Sequence, residues 1–302
     1  MYAMPNESPS GSLVGLPGSG VTEEVLDLGD VRVGLRRTSG RGHPLVMFHG
    51  LMDSAESWDP FARSVSRPTL AFDLPGFGRS SVAGDDLDQW QDLFSDVFDV
   101  LQVDRFFLLG HSLGAALASS LAAVHEEATR GLMLIAPAGY GRIPLAQLLA
   151  RRDMEFLLGL TAPEAMRSRI LVGLVYRNLF SNNHGLSDGL MRRLVASRRR
   201  MVPGIRNAMH ILRELSRDPF TANAYGGPVS ALWGERDRLV PPARSQERLL
   251  EVFPQANELT LKDIGHHPQE ECPEEALKWI SEWSESNVIG PLNLADNDPA
   301  AV

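Results

Sequence analysis

Residues 105–118 have the sequence RFFLLGHSLGAALA, in which the pattern G-x-S-x-G, Gly110 to Gly114, directly follows an apolar run. Small, helix-favouring residues come next. Strand, sharp turn and helix in this order are the setting in which G-x-S-x-G holds a nucleophilic serine at the tip of the turn. Glycines flank Ser112 because larger side chains would not fit beside such a turn. We therefore expect Ser112 to be a nucleophile; the alternative is a serine that only caps a helix.

Short apolar runs alternate with longer helical patterns on both sides of this stretch. Helical crossovers between buried apolar strands predict an α/β fold with a mostly parallel, eight-stranded sheet flanked by helices. No helix separates the first two strands, which predicts an antiparallel hairpin at the edge of the sheet. The predicted strands are Glu24–Leu28, Val31–Arg37, Pro44–Phe48, Thr69–Phe72, Arg105–Leu109, Gly131–Ile135, Val229–Trp233 and Glu258–Leu261. The predicted helices are Trp58–Val65, Leu87–Leu101, Ser112–His125, Pro242–Val252 and Pro273–Trp283.

The alternation stops near residue 138 and resumes near residue 226, and the residues between have apolar side chains at helical spacing. We predict a core made of residues 23–138 and 226–286, and an inserted all-helical cap over residues 139–225. Charge supports this division. The whole chain carries −9, but residues 139–221 hold 14 Arg, no Lys and six acidic residues, which gives +8 there and −17 elsewhere. Residues 1–22 and 287–302 are predicted to be a flexible leader and a flexible tail.

Two later segments supply the groups that a serine nucleophile needs, a base and a group that orients the base. Asp237 follows an apolar strand and a glycine turn, at the end of the sheet where ligands bind in α/β folds. His266 and His267 also follow a strand. Two alternatives stay open: Asp237 forming only surface ion pairs with neighbouring arginines, and His267 serving as the base.

Five ordered motifs resemble the α/β-hydrolase superfamily. Besides G-x-S-x-G, they are H-G-x at residues 49–51, D-x-P-G-x-G-x-S at 73–80, G-x-x-D-x-x-x-P at 234–241 and G-H-x-P-x-x-E-x-P at 265–273. The resemblance covers roughly residues 24–286 and implies a serine-nucleophile, esterase-like member with a helical cap. It makes Ser112 the nucleophile, Asp237 the acid and His266 the base. It also implies an oxyanion hole formed by the backbone N–H groups of Leu51 and Leu113.

The resemblance implies a hydrolase of carboxylic esters with small or medium acyl groups, acting through an acyl-enzyme. Relatives that open epoxides or displace halide carry aspartate at the position of Ser112, so serine favours acyl transfer. A C–C bond hydrolase of vinylogous diketo acids, a lactonase and a perhydrolase use the same triad and remain alternatives. A ligand receptor on the same fold is the non-enzymatic alternative, because a fold alone does not fix function.

Substrate contacts are expected from Met52, His111, Leu157, Leu174 and His267. The cap leucines have the alternative role of packing the interior of the cap. The arginines near residues 192–200 form either a solvated face or a surface that attracts an anionic substrate, the acidic core or anionic lipid. His49 and Asp73 are expected to stabilise their turns, with proton transfer as the alternative for His49.

Composition bounds the remaining possibilities. The chain is 43% hydrophobic and 22% charged, as globular domains usually are. No zinc or P-loop pattern is present, so we expect no metal and no cofactor. The net acidity argues against a nucleic-acid partner, and no apolar run is long enough for a transmembrane segment. A single cysteine, Cys272, and the lack of a signal-peptide pattern predict a cytoplasmic enzyme acting on a small ester, with homo-oligomerisation left open.

Overall fold

A nine-stranded sheet organises the protein. The computed structural model describes residues 14–15, 20–143 and 201–286. The strands are β1 (Val14–Gly15), β2 (Thr22–Asp27), β3 (Arg32–Thr38), β4 (Leu45–Phe48), β5 (Thr69–Phe72), β6 (Phe106–His111), β7 (Thr129–Ile135), β8 (Val229–Gly234) and β9 (Asn257–Leu261). Their spatial order is β1-β2-β3-β5-β4-β6-β7-β8-β9. All pairs from β5 through β9 in this order are parallel, whereas β1, β2 and β3 pair antiparallel.

Helices connect the parallel strands, as the crossover rule requires. In the described part of the chain they are α1 (Asp59–Ala62, after a 3₁₀ turn at Ala55–Trp58), α2 (Leu87–Val100), α3 (Leu113–Val124), α4 (Met201–Arg217), α5 (Pro242–Val252), α6 (Pro268–Glu271) and α7 (Pro273–Ser286). Asp86 accepts a hydrogen bond from the Gln89 amide and so caps the start of α2.

The predicted fold class is confirmed. All eight predicted strands are present, and the first two form the expected antiparallel hairpin. The sequence did not predict β1, whose two residues lie inside the expected leader, 1–22. Helix α4 lies within the predicted cap, 139–225, whose residues 144–200 lie outside the described part of the chain, as do residues 287–302 of the expected tail.

Alternation along the central strands explains why helices cover both faces of the sheet. In β4, Val46 and Phe48 enter one buried cluster with α2, α3 and α4, while Leu45 and Met47 enter a second cluster with α1 and α7. Side chains of a strand point to opposite faces in turn, so a strand in which every residue is buried needs two cores.

The parallel arrangement also determines where chemistry can gather. In the register of the sheet, His111 at the end of β6 lies opposite Ile135 of β7, and Gly234 at the end of β8 lies opposite Leu261 of β9. Because these strands run the same way, the loops that follow them emerge at one edge. That edge receives the turn after β6, the loop after β8 and the loop after β9.

Candidate active site

The turn after β6 has an unusual backbone at Ser112. Ser112 has a φ of +53°, which a non-glycine residue seldom adopts, and it directly precedes α3. A Cβ added at Gly110 would collide with the backbone of Gly114 and Ala115, and one at Gly114 would collide with the carbonyl groups of Phe48 and His49. Glycine at both positions therefore allows the strand, the turn and the helix to pack at backbone contact.

Three polar side chains meet in front of this turn. His266 Nε2 lies 3.0 Å from Ser112 Oγ, and His266 Nδ1 lies 2.7 Å from Asp237 Oδ2. A carboxylate can only accept, so Nδ1 carries the proton and donates to Asp237. Nε2 of the neutral ring is then an acceptor for the Ser112 hydroxyl. The residues are buried, with 6%, 4% and 2% of Ser112, Asp237 and His266 exposed.

The loop after β8 fixes the Asp237 carboxylate. Its Oδ1 accepts hydrogen bonds from the amides of Leu239 (2.8 Å) and Val240 (2.9 Å), which leaves Oδ2 for His266. The neighbouring Arg236 pairs with Asp263. The structure thus brings Asp237 to the histidine rather than into a surface ion pair, and it is His266, not His267, that contacts both Ser112 and Asp237.

The loop after β4 lies against the serine. A Cβ added at Gly50 would lie 2.6 Å from His111 Nδ1 and 3.2 Å from Ser112 Cβ. Neither the Leu51 nor the Leu113 backbone N–H has an acceptor in the described part of the chain. Leu113 is the first residue of α3, where an amide has no partner within the helix. The role of these two amides as an oxyanion hole therefore stays a prediction.

His49 and Asp73 are committed to backbone hydrogen bonds in this region. His49 Nδ1 donates to the Gly50 carbonyl (2.7 Å), and its Nε2 accepts from the Leu74 amide (3.0 Å). Asp73 accepts from the amides of Ala55 and Arg79. These contacts fit the turn-stabilising roles that we expected, because both ring nitrogens of His49 are engaged.

The imidazole of His111 contacts the loop that carries His266. His111 Nε2 donates to the carbonyl oxygen of His266 (2.9 Å), and the two ring centroids are 5.0 Å apart. Burial, reinforced by the nearby ring of His266, lowers the pKa of His111 well below its usual range. His111 is therefore neutral, with the proton on Nε2, and its buried Nδ1 has no hydrogen-bond partner among the described residues.

An apolar pocket opens above the serine. Two of the predicted substrate contacts, His111 and His267, line it. Met52 does not line it: this residue has a φ of +64° and packs half-buried against the core. Leu157 and Leu174 lie outside the described residues. The pocket is also lined by Leu51, Ser112, Ile143, Met209, Leu212, Leu239, Val240 and His266.

Sequence reasoning assigned no pocket role to five of these lining residues. Leu239 and Val240 lie within the motif that contains Asp237, so their nearness to the site could have been inferred from that motif. Met209 and Leu212 share the apolar face of α4, but helical spacing does not reveal which part of the sheet that face meets. Nothing in the sequence pointed to Ile143.

Two further features concern the described residues only. In residues 20–143 and 201–286, no group of three or more His, Cys, Asp or Glu side chains is arranged to hold a metal ion. None of the helices within these ranges combines the length and the apolar character needed to cross a lipid bilayer.

Comparison with known proteins places these features in a family. The chain is 26% identical to the dihydrolipoyllysine-residue acetyltransferase component of the acetoin cleaving system of Pseudomonas putida, over 78% of this chain and 61% of that protein. The chain thus spans about three fifths of this relative. It is also 26% identical to 2-hydroxymuconate semialdehyde hydrolase of Pseudomonas sp. strain CF600, over 87% of this chain and 91% of that protein.

A solved structure agrees on the fold. A thermophilic esterase from Thermogutta terrifontis superposes with a TM-score of 0.67 at 19% identity, over 92% of this chain and 99% of that one. The sequence model described as the alpha/beta hydrolase family matches residues 45–278, from β4 into α7. The chain belongs to the alpha/beta hydrolase family.

Proposed function

We propose that this protein is a serine hydrolase that cleaves carboxylic esters through an acyl-enzyme. The observation that carries the proposal is the continuous hydrogen-bonded chain from Asp237 through His266 to Ser112. Its proton positions are those that general-base activation of a serine requires, with Nδ1–H facing the carboxylate and the Nε2 lone pair facing the hydroxyl.

Acylation follows from this geometry. Ser112 Oγ attacks the carbonyl carbon of the ester while His266 Nε2 takes the hydroxyl proton. Asp237 stabilises the imidazolium that forms. The negative charge that develops on the carbonyl oxygen is bound by the backbone N–H groups of Leu51 and Leu113. The bond to the alcohol oxygen then breaks, and the departing alcohol takes the proton from Nε2.

Deacylation uses the same groups in reverse order. A water molecule gives a proton to His266 Nε2 as its oxygen attacks the acyl carbon. The second oxyanion collapses, the bond to Ser112 Oγ breaks, and Oγ recovers the proton from Nε2. The products are a carboxylic acid and the free enzyme.

The pocket wall supports an apolar acyl group as the substrate moiety. Six of the described lining residues have aliphatic or thioether side chains: Leu51, Ile143, Met209, Leu212, Leu239 and Val240. Burying an acyl chain against them is favourable by about 0.8 kcal/mol per methylene. Met209 and Leu212 come from α4, within the predicted cap, so we propose that the insertion at residues 139–225 selects the substrate.

Cleavage of a C–C bond is the second candidate. Its support is the 26% identity to 2-hydroxymuconate semialdehyde hydrolase over 91% of that protein. The same serine, histidine and aspartate would act on a diketo acid, whose carboxylate needs a cationic partner. The described lining residues include no arginine or lysine, and the arginines near residues 192–200 lie outside the described residues. The apolar wall of the pocket keeps the ester as the first choice.

The test is turnover of p-nitrophenyl esters by the whole chain and by Ser112→Ala. We expect sustained turnover that falls by about 10⁴-fold or more in the variant. Ser64→Ala is the matched control, because Ser64 is exposed and, among the described contacts, its hydroxyl donates only to the Pro60 carbonyl. Equal loss in both variants, or full activity in Ser112→Ala, would overturn the proposal.

A substrate panel separates the alternatives. Esters of increasing acyl length, a lactone and a vinylogous diketo acid should be compared by kcat/KM. Preference for the diketo acid by more than about tenfold would favour the C–C hydrolase. A single stoichiometric release of p-nitrophenol without further turnover would favour a receptor over an enzyme.

A further inference from the structure

The backbone around His266 is held by two side chains that take no direct part in proton transfer. Glu271 accepts hydrogen bonds from the amides on either side of the base, with Oε2 at 3.0 Å from Gly265 N and Oε1 at 3.1 Å from His267 N. His111 Nε2 donates to the carbonyl oxygen of His266 itself at 2.9 Å. The two side chains thus engage both the C=O and the N–H of the peptide group that joins His266 to His267, and the N–H of the peptide group that joins Ile264 to Gly265.

These two contacts link the base to different parts of the molecule. Glu271 is the last residue of α6, so it ties the loop after β9 to the helix that follows. His111 directly precedes Ser112, so its hydrogen bond connects the peptide of the base to the peptide of the nucleophile. A rotation of the His266 backbone would break at least one of the three hydrogen bonds.

We propose that His111 and Glu271 are positioning residues that together fix the His266 ring between Ser112 Oγ and Asp237. The inference rests on the proposed function, because it assumes that His266 is the base. The consequence is kinetic. A displacement of a base by about 1 Å can reduce the rate by 10²-fold even when the substrate still binds.

The chemical state of His111 supports a role beyond packing. A carbonyl oxygen only accepts, so Nε2 must carry the proton, and the other nitrogen is then a buried acceptor with no partner in the part of the chain that the structure describes. Such an orphaned nitrogen lowers stability, so an apolar ring would fill this space better if packing were its only role. What the imidazole adds is the donor to the His266 carbonyl.

Single variants give the first test. His111→Phe keeps a ring but removes the donor, and Glu271→Ala removes both acceptors. We expect kcat for p-nitrophenyl ester hydrolysis to fall about 10- to 100-fold in each, with KM within about threefold. His111→Gln, whose amide N–H can replace Nε2–H, should be about tenfold more active than His111→Phe. Glu274→Gln, on the exposed start of α7, is the charge control and should leave kcat unchanged.

A double-mutant cycle with His266→Ala then distinguishes positioning from a general structural effect. If His111 and Glu271 act through the base, neither substitution should change the residual rate of His266→Ala by more than about twofold. The folded fraction of every variant should be measured by circular dichroism, so that unfolded molecules do not enter kcat. The same loss with and without His266 would overturn the proposal.

The remaining outcomes are also decisive. If His111→Phe does not fold, His111→Gln and His111→Asn replace it: only the longer glutamine reaches the His266 carbonyl, so equal kcat values would contradict the proposal. If His266→Ala alone retains full turnover, the proposed function fails and the positioning roles fail with it. If His266→Ala is inactive but His111→Gln and His111→Phe match the unsubstituted enzyme, only the positioning inference fails.

Discussion

The nucleophile turn and the loop that carries the histidine reach the same point by different means. Around Ser112, backbone packs on backbone: Gly110 and Gly114 leave no space for a methyl group. Around His266, by contrast, side chains accept from and donate to peptide groups, through Glu271 and His111. The first arrangement is steric and belongs to the core of the fold. The second is polar and can change without rebuilding the sheet.

This difference predicts that substitutions in the two regions will change different quantities, the free energy of unfolding in one and the reaction rate in the other. A substitution in the packed turn should lower the free energy of unfolding, because the neighbouring atoms are backbone and cannot move aside. A substitution among the hydrogen-bonded groups should lower the rate while the protein stays folded. Five experiments test this contrast.

Asp237→Asn should give the largest effect. It should lower the rate of ester hydrolysis without destabilising the fold. An amide in place of the carboxylate can hold His266 in the wrong tautomer, with Nε2 protonated toward Ser112. We expect kcat to fall by about 10⁴-fold, with little change in the free energy of unfolding. Ester hydrolysis and urea unfolding measure the two quantities. Loss of fold together with activity would mean that the acid loop is structural as well.

Gly50→Ala tests the point where both regions meet. The new methyl group would press on His111 and Ser112 and displace the adjacent Leu51 N–H. Removing one oxyanion donor costs about 10²–10³-fold in kcat, and we expect a loss of that size. Gly226→Ala is the control, since among the described residues an added Cβ there would meet only the flexible end of Glu126, at 3.4 Å. A similar loss in the control would contradict the assignment.

Gly114→Ala should mainly affect stability. Alanine normally stabilises a helix relative to glycine by about 1 kcal/mol. Here the added methyl group would meet the carbonyl groups of Phe48 and His49, so we expect a net destabilisation of about 3 kcal/mol. Urea denaturation measures it. A stabilised variant would show that the turn is not packed at backbone contact.

The pH dependence of stability should report the burial of His111. Its pKa is lowered in the folded protein, so the unfolded chain binds a proton that the folded chain does not. Stability is therefore lost as the pH falls below about 6.5, the usual pKa of histidine in an unfolded chain. Unfolding free energies at pH 7.5 and 5.5 should differ less in His111→Gln. Equal differences in both proteins would mean that His111 is protonated in the fold.

Asp86→Ala should give the smallest effect. It serves as a reference for how a small loss of stability alone affects kcat. Asp86 caps α2 through the Gln89 amide and belongs to neither of the two loops. Loss of the cap should cost about 1 kcal/mol, with kcat unchanged. Thermal unfolding measures the loss of stability, and ester hydrolysis measures kcat. A change in kcat would indicate that a loss of stability of this size alone alters the rate, and would weaken the contrast drawn above.

The sequence predicted the sheet well because each strand leaves a local signal. β5 and α5 have the predicted boundaries, and the edge hairpin follows from the missing crossover helix between β2 and β3. The segments of the site were also visible, since glycine and proline mark the turns that follow β6, β8 and β9. Two-residue β1 left no signal, because it is too short to show a period.

What the sequence could not supply are contacts made only when distant elements dock. Helix α4 approaches the sheet edge through Gly204 against Gly76 and through Asn207, whose side chain donates to the Gly84 carbonyl. This docking brings Met209 and Leu212 to the pocket. The role of His111 is similar: its place in the motif was visible, but its hydrogen bond to residue 266 depends on the folded loops.

The positive φ of Ser112 restricts which chemistries this scaffold could acquire by a single substitution. A β-branched residue is strongly disfavoured at such a backbone angle, so threonine would be poorly accommodated there. Cysteine and aspartate, like serine, carry a single heavy atom on Cβ, so they avoid this penalty. A single substitution at this position could therefore introduce a thiol or a carboxylate, whereas the backbone disfavours threonine, the secondary alcohol that most resembles serine.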